Sequence, residues 1–123
     1  MNQENTEYLF KNFPFFHPET PLTESLMAFG FECGDGWFIL IKELCEKLKA
    51  LKLKDFRVVQ VKEKYGGLRF YTGSIETKKA DEVFRLIEEA GGKSYTICEA
   101  CGQPGQPNED GWIATLCESC RKK

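Results

Sequence analysis

The chain ends in two cysteine pairs, Cys98-x-x-Cys101 and Cys117-x-x-Cys120, with fifteen residues between them. Each pair can form a tight knuckle that aims two thiolates at one ion. The intervening loop brings the second pair round to complete a tetrahedron. This spacing falls in the range of a structural zinc site. Four sulfur ligands leave no open coordination position, so the ion is expected to brace a fold and not to perform chemistry. Gly102 after Cys101 lets backbone N–H groups turn toward sulfur, whereas Cys120 is followed by Arg121. Zn2+ is the expected ion, ahead of iron in a rubredoxin-like site, which uses the same ligands.

A ribbon over residues 98–120 needs something to dock on. The 123-residue length suits one domain, with an α+β core and N-terminal arm over 1–97 and the ribbon docked on it. Ten Phe, four Tyr and two Trp supply a core, which argues against disorder despite 29% charged residues. The longest apolar run, Trp37 to Ile41, is far too short to span a membrane. The N-terminus is polar and acidic, without the basic start of a secretory signal. These features point to the cytoplasm, where paired cysteines read as metal ligands before disulfides.

Residues 1–32 carry no clear period, and the Phe13-Pro14-Phe15-Phe16-His17-Pro18 run breaks a long helix. They are expected to form an extended arm packed on the domain, with one helical turn near 24–29 capped by Thr23. Asp35 is placed as the N-cap of a helix from Trp37 to about Leu51, whose stripe is Trp37, Leu40, Ile41, Leu44, Cys45, Leu48 and Leu51. Asp55 to Thr72 reads as a β-hairpin turning at Gly66-Gly67. Its core face is Val59, Val61, Glu63, Tyr65, Leu68 and Phe70; its other face is Val58, Gln60, Lys62, Lys64, Arg69 and Tyr71. A second helix, capped by Ser74 or Thr77, runs to about Ala90 and ends at Gly91-Gly92. Its expected stripe is Ala80, Val83, Phe84, Ile87 and Ala90. Short strands at 95–97 and 112–116 lead into the knuckles. The fold class is therefore α+β: a hairpin, two amphipathic helices and a C-terminal four-cysteine ribbon.

The formal charge of −2 is unevenly spread. Residues 1–36 hold six acids and one Lys, while 37–72 hold nine basic and four acidic residues, a local +5. Lys62, Lys64 and Arg69, with Tyr65 and Tyr71, form the best candidate binding surface outside the ribbon. They could contact phosphate while an aromatic stacks on a base. The plainer reading is a solvated strand face whose lysines discourage edge pairing.

Enzymatic readings fare worse. His17-Pro18-Glu19 with Cys98-x-x-Cys101 superficially matches the His-x-Glu and Cys-x-x-Cys halves of zinc deaminases. The long gap, the proline and the surplus Cys117 and Cys120 argue against it. His17 is the only histidine, which also weakens an HNH-type nuclease and any catalytic role for Cys33 or Cys45. Cys45 reads as a core thiol, and Cys33, just before the glycine turn, as a core thiol or an accessible one.

Four segments together, FECGDGW at 31–37, VKEKYGGLRFY at 61–71, CEACGQPG at 98–105 and GWIATLC at 111–117, resemble a group of small phage- and prophage-encoded hypothetical proteins. The likeness covers residues 31–120 and implies a mobile-element origin with a C-terminal zinc ribbon, but no agreed activity. Members of that group can end the second knuckle in His, where this chain has Cys120. The expected function is non-enzymatic: binding a host protein or complex, such as a defence nuclease or the transcription apparatus, with the acidic N-terminal segment suited to a basic channel. Nucleic-acid binding through the hairpin and ribbon is the alternative; a zinc-dependent nuclease or deaminase is the remote one.

Overall fold

The computed structural model describes residues 1–123. Its centre is a three-stranded sheet in the order β1-β2-β3, from β1 (Phe31–Glu32), β2 (Val58–Lys64) and β3 (Gly67–Thr72). The β2–β3 hairpin is antiparallel, and β1 adds to β2 in parallel, with Phe31 beside Val61. Helices α2 (Phe38–Ala50) and α3 (Ala80–Ser94) pack together, and α3 lies on β3. The α+β class and the four-cysteine C-terminal cluster are both present, as the residue pattern predicts.

The hairpin turns one residue earlier than Gly66-Gly67. Tyr65 (φ 53°) and Gly66 (φ 85°) occupy the left-handed region, as a two-residue type I′ turn requires. Lys64 pairs with Gly67, and Glu63 with Leu68. Moving the turn by one residue slides the register by two, which leaves the faces unchanged. Val61, Leu68 and Phe70 are therefore buried as expected. Tyr65 is not on the core face, because it has become a turn residue and is 69% exposed. Val58 replaces Val59 in the core, since a bulge between Val58 and Gln60 inverts the alternation there. Glu63 is reconciled with its place by accepting the Gly66 N–H at 2.8 Å, which ties down the turn.

The N-terminal segment is helical where an extended arm was expected. Helix α1 (Gln3–Asn12) is capped by Asn2, whose side chain accepts the Asn5 N–H at 2.8 Å. Its pattern is weak because only Leu9 is fully buried. The aromatic run that follows is core: Phe16 meets Phe31 edge-on at 5.0 Å, and Phe15 meets Phe56 at 5.2 Å. The turn near 24–29 is a single 3₁₀ turn, Met27–Phe29.

Asp35 does not cap α2. Its carboxylate instead accepts from the Asn2 N–H at 2.8 Å and the Asn5 amide at 3.1 Å, tying α1 to the start of α2. Helix α3 has no side-chain cap from Ser74 or Thr77 and runs through Gly91-Gly92 to Ser94. The buried Ser94 hydroxyl accepts the Leu68 N–H at 2.9 Å and donates to Gly91 O at 2.5 Å. That link to the sheet offsets part of the helical cost of two glycines, about 1 kcal/mol each. The buried stripe of α3 is Val83, Leu86, Ala90 and Ser94, so Phe84, expected inside, is 55% exposed.

Candidate metal centre

Trp37 prepares the seat of the first knuckle. Its ring is fully buried, and its indole N–H donates to Ile97 O at 2.9 Å. Gly34 and Gly36 then receive the knuckle backbone: Gly36 N–H donates to Glu99 O at 2.7 Å, and Gly34 N–H to the Glu99 carboxylate at 2.8 Å. A Cβ on Gly36 would run into Cys98 O and the Glu99 backbone, so only glycine allows this approach. Burial raises the Glu99 carboxyl above its ordinary range, although the Gly34 N–H opposes that shift.

The ribbon is less regular than two strands. Residues 95–97 finish the turn after α3, and only Ile97 makes a bridge, to Pro104. The true pair is β4 (Gln106–Pro107) with β5 (Thr115–Leu116). The knuckles close differently. Gly102 takes φ 84° and donates its N–H to Cys98 O at 2.9 Å. The second, lacking a glycine, closes as a one-turn helix α4 (Glu118–Arg121), in which Cys120 N–H points at Cys117 Sγ at 3.4 Å. Arg121 turns its guanidinium back onto Gln106 O at 2.6 Å and Leu116 O at 3.3 Å, clamping both strands.

These elements bring the Sγ atoms of Cys98, Cys101, Cys117 and Cys120 within 4.8 Å of one another. Cys101 Sγ and Cys117 Sγ stand 3.7 Å apart. A tetrahedron with metal–sulfur bonds of about 2.3 Å has edges of about 3.8 Å, so the cage has the size of one ion. It is also too wide for a sulfur–sulfur bond. Protons are unevenly held. Burial alone would raise the Cys98 thiol, but N–H groups of Cys117, Cys101 and Ala100 outweigh it and bring it down to about 6. The Cys120 thiol is pushed up to about 12, chiefly because hydrogen bonds with the Cys117 and Cys101 sulfurs keep its proton. A cation that displaces those protons fits this donor set.

The other predicted groups lie elsewhere. His17 stands 3.6 Å from Glu19 and is not in the cluster. Cys33 and Cys45 are buried core thiols. Burial pushes Cys33 up to about 12 and raises Cys45 as well. Lys62, Lys64, Arg69 and Tyr71 share the sheet face opposite the core, with Tyr65 beside them at the tip.

Two further features escaped the sequence. Thr115, fully buried, donates its hydroxyl to Gly66 O at 2.6 Å and so joins ribbon to hairpin tip. Residues 108–114 form a closed loop around Asn108. Its side-chain amide donates to Asp110 O at 2.6 Å and Trp112 O at 2.9 Å, and its carbonyl oxygen accepts the Ala114 N–H at 2.8 Å. Trp112, expected in a strand, is held outward there with 87% exposure. The Asn-x-x-Gly spacing of Asn108 and Gly111 was the available turn signal. No helix is long and apolar enough to cross a membrane. Compared with protein-family models, curated proteins and solved structures, this chain matches none of them.

Proposed function

We propose that this chain is a non-catalytic zinc-ribbon protein that acts by docking onto a protein partner, with Trp112 as its anchor. The observation that carries this reading is the exposure of Trp112, 87%, on a loop already ordered by Asn108. Tryptophan is among the commonest energetic anchors of protein interfaces. A loop ordered before binding loses little entropy on docking. Glu109 and Asp110 flank the anchor, so the partner's pocket carries a basic rim.

The ion in this reading is Zn2+, held by Cys98, Cys101, Cys117 and Cys120. It completes a closed sulfur shell with no position for water or substrate. Its work is to brace the ribbon that carries the loop, and the protein acts by binding. The likeness to phage-encoded chains extends the proposal to a mobile-element origin and a host target, such as a defence nuclease or the transcription apparatus.

The test compares wild-type and Trp112→Ala proteins as baits in host lysate, followed by reconstitution with the purified partner on gel filtration. A partner that co-elutes with wild type and not with Trp112→Ala supports the proposal. A partner that binds both equally, or none in either, sinks it. Metal analysis must find one zinc per chain; red, iron-loaded protein from native expression refutes the zinc assignment.

A further inference from the structure

We propose that the basic face of the three-stranded sheet is a site for single-stranded nucleic acid, separate from the Trp112 loop. On this face β1 contributes Glu32, β2 contributes Gln60, Lys62 and Lys64, and β3 contributes Arg69 and Tyr71. The core cluster, with α2 and α3, lies on the other side; on this one the Tyr95 ring packs at Gly67, Gln60, Lys62 and Arg69 are half-buried, and Glu32, Lys64 and Tyr71 are exposed.

The charges here are arranged against the sheet's own interest. Lys62 stands directly opposite Arg69 on the neighbouring strand. Like charges in that position destabilise a sheet. Glu32 is beside Lys62 in the β1–β2 register, yet its carboxylate accepts the Gln60 amide at 3.3 Å and makes no ion pair. None of the six ion pairs in the molecule involves Lys62, Lys64 or Arg69. A phosphate between Lys62 and Arg69 would convert repulsion into two attractive contacts. Lys64, two residues along β2 and so about 6.6 Å further on, extends the track.

The aromatics decide the class of polyanion. Tyr71, 42% exposed, lies next to Gln60 in the cross-strand register, and Tyr65, 69% exposed, sits at the tip with Lys64 Nζ 5.6 Å from its ring centroid. Cations beside exposed rings on a sheet face suit a strand whose backbone is tracked by charge and whose bases stack. A duplex keeps its base faces hidden, and an acidic polypeptide has no bases to stack.

The experiment is fluorescence anisotropy of labelled oligo(dT) and oligo(U) with the full, zinc-loaded chain, from 50 to 200 mM salt. Three phosphate contacts on a single strand imply a log–log salt slope of about −2, hence a loss of roughly twentyfold across that range. The triple variant Lys62→Gln, Lys64→Gln, Arg69→Gln is expected to lose both affinity and slope. A charge-matched variant, Lys47→Gln, Lys78→Gln, Lys93→Gln, is expected to retain them. Tyr71→Ala should weaken binding about fivefold or more at unchanged slope. Removing the Lys62–Arg69 repulsion should leave the triple variant at least as heat-stable as wild type; if it misfolds, Arg69→Gln alone serves, with a slope reduced by about one contact. Absence of oligonucleotide binding at 50 mM salt overturns the proposal. So does equal loss in the charge-matched variant. Polyglutamate binding as tight as oligo(dT), with Tyr71→Ala silent, also overturns it and makes the face an acidic-protein site. Protein capture through Trp112 is measured separately, so either proposal can fail alone.

Discussion

Thr115→Val tests how the ribbon is fastened to the hairpin. Valine keeps the shape of Thr115, so the substitution removes little but the hydroxyl that donates to Gly66 O at 2.6 Å. Thr115 is fully buried and Gly66 is buried too, so water cannot replace the lost donor. A buried carbonyl left unpaired costs about 1–3 kcal/mol. Unfolding entropy of about 2.1 cal/mol/K per residue, over 123 residues, makes each kcal/mol worth about 4 °C in Tm. The expected loss is therefore about 4–12 °C. Thr115→Ser is the discriminating partner, because it keeps the hydroxyl and removes one methyl, at about 1 kcal/mol. Thermal unfolding of the purified proteins, followed by circular dichroism, should rank wild type above Ser and Ser above Val. A Val variant as stable as wild type, or a Ser variant less stable than Val, would show that the methyl and not the hydrogen bond matters at this junction.

Stripping the metal with a strong chelator should melt the ribbon, on the order of 10 kcal/mol of binding energy being lost, and a change in the fluorescence of Trp37, buried against the first knuckle, should track metal release in a Trp112→Phe background. Gly92→Ala should raise Tm, because the helix gains about 0.5–1 kcal/mol and an added Cβ meets nothing within 4 Å; Gly36→Ala should lower it, since its Cβ meets the Cys98 and Glu99 backbone. Stability should fall in alkali. Cys33 is raised by burial to about 12, so the unfolded chain releases its thiol proton first, near pH 8.5. The folded state's advantage is thus fully present below that pH and is lost as pH rises toward about 12. Cys45, raised by burial as well, adds to the same loss, so urea melts across that window should show a shallower fall with pH for Cys33→Ala than for wild type, and an equal fall refutes the role of Cys33.

The cysteine spacing was legible because two knuckles are local objects, each closed within four residues. Helix α2 was legible because its apolar residues recur at one period over 13 residues. The hairpin faces from Val61 to Lys62 and from Leu68 to Tyr71 survived a wrong turn position because side-chain parity is unchanged by a two-residue slide, whereas the bulge at Val58 and the turn at Tyr65 moved those residues off the faces expected for them. Helix α1 was hidden because it shows the core little more than Leu9, and its fastenings to Asp35 lie some 30 residues away.

The sequence by itself therefore determined the four-cysteine cluster and the alternation that puts Lys62, Lys64 and Arg69 on one face. Those properties depend on spacing and periodicity, which any fold of this chain must respect. Only the tertiary structure decided that α3 continues through Gly91-Gly92, that Tyr65 and Trp112 point outward, and that no acid answers the Lys62–Arg69 pair. The first and last of these depend on hydrogen bonds between distant residues, Ser94 to Leu68 and Glu32 to Gln60, while Tyr65 and Trp112 are set by the local bonds of Glu63 and Asn108. Such bonds form where packing happens to bring donor and acceptor together, and no local period encodes them.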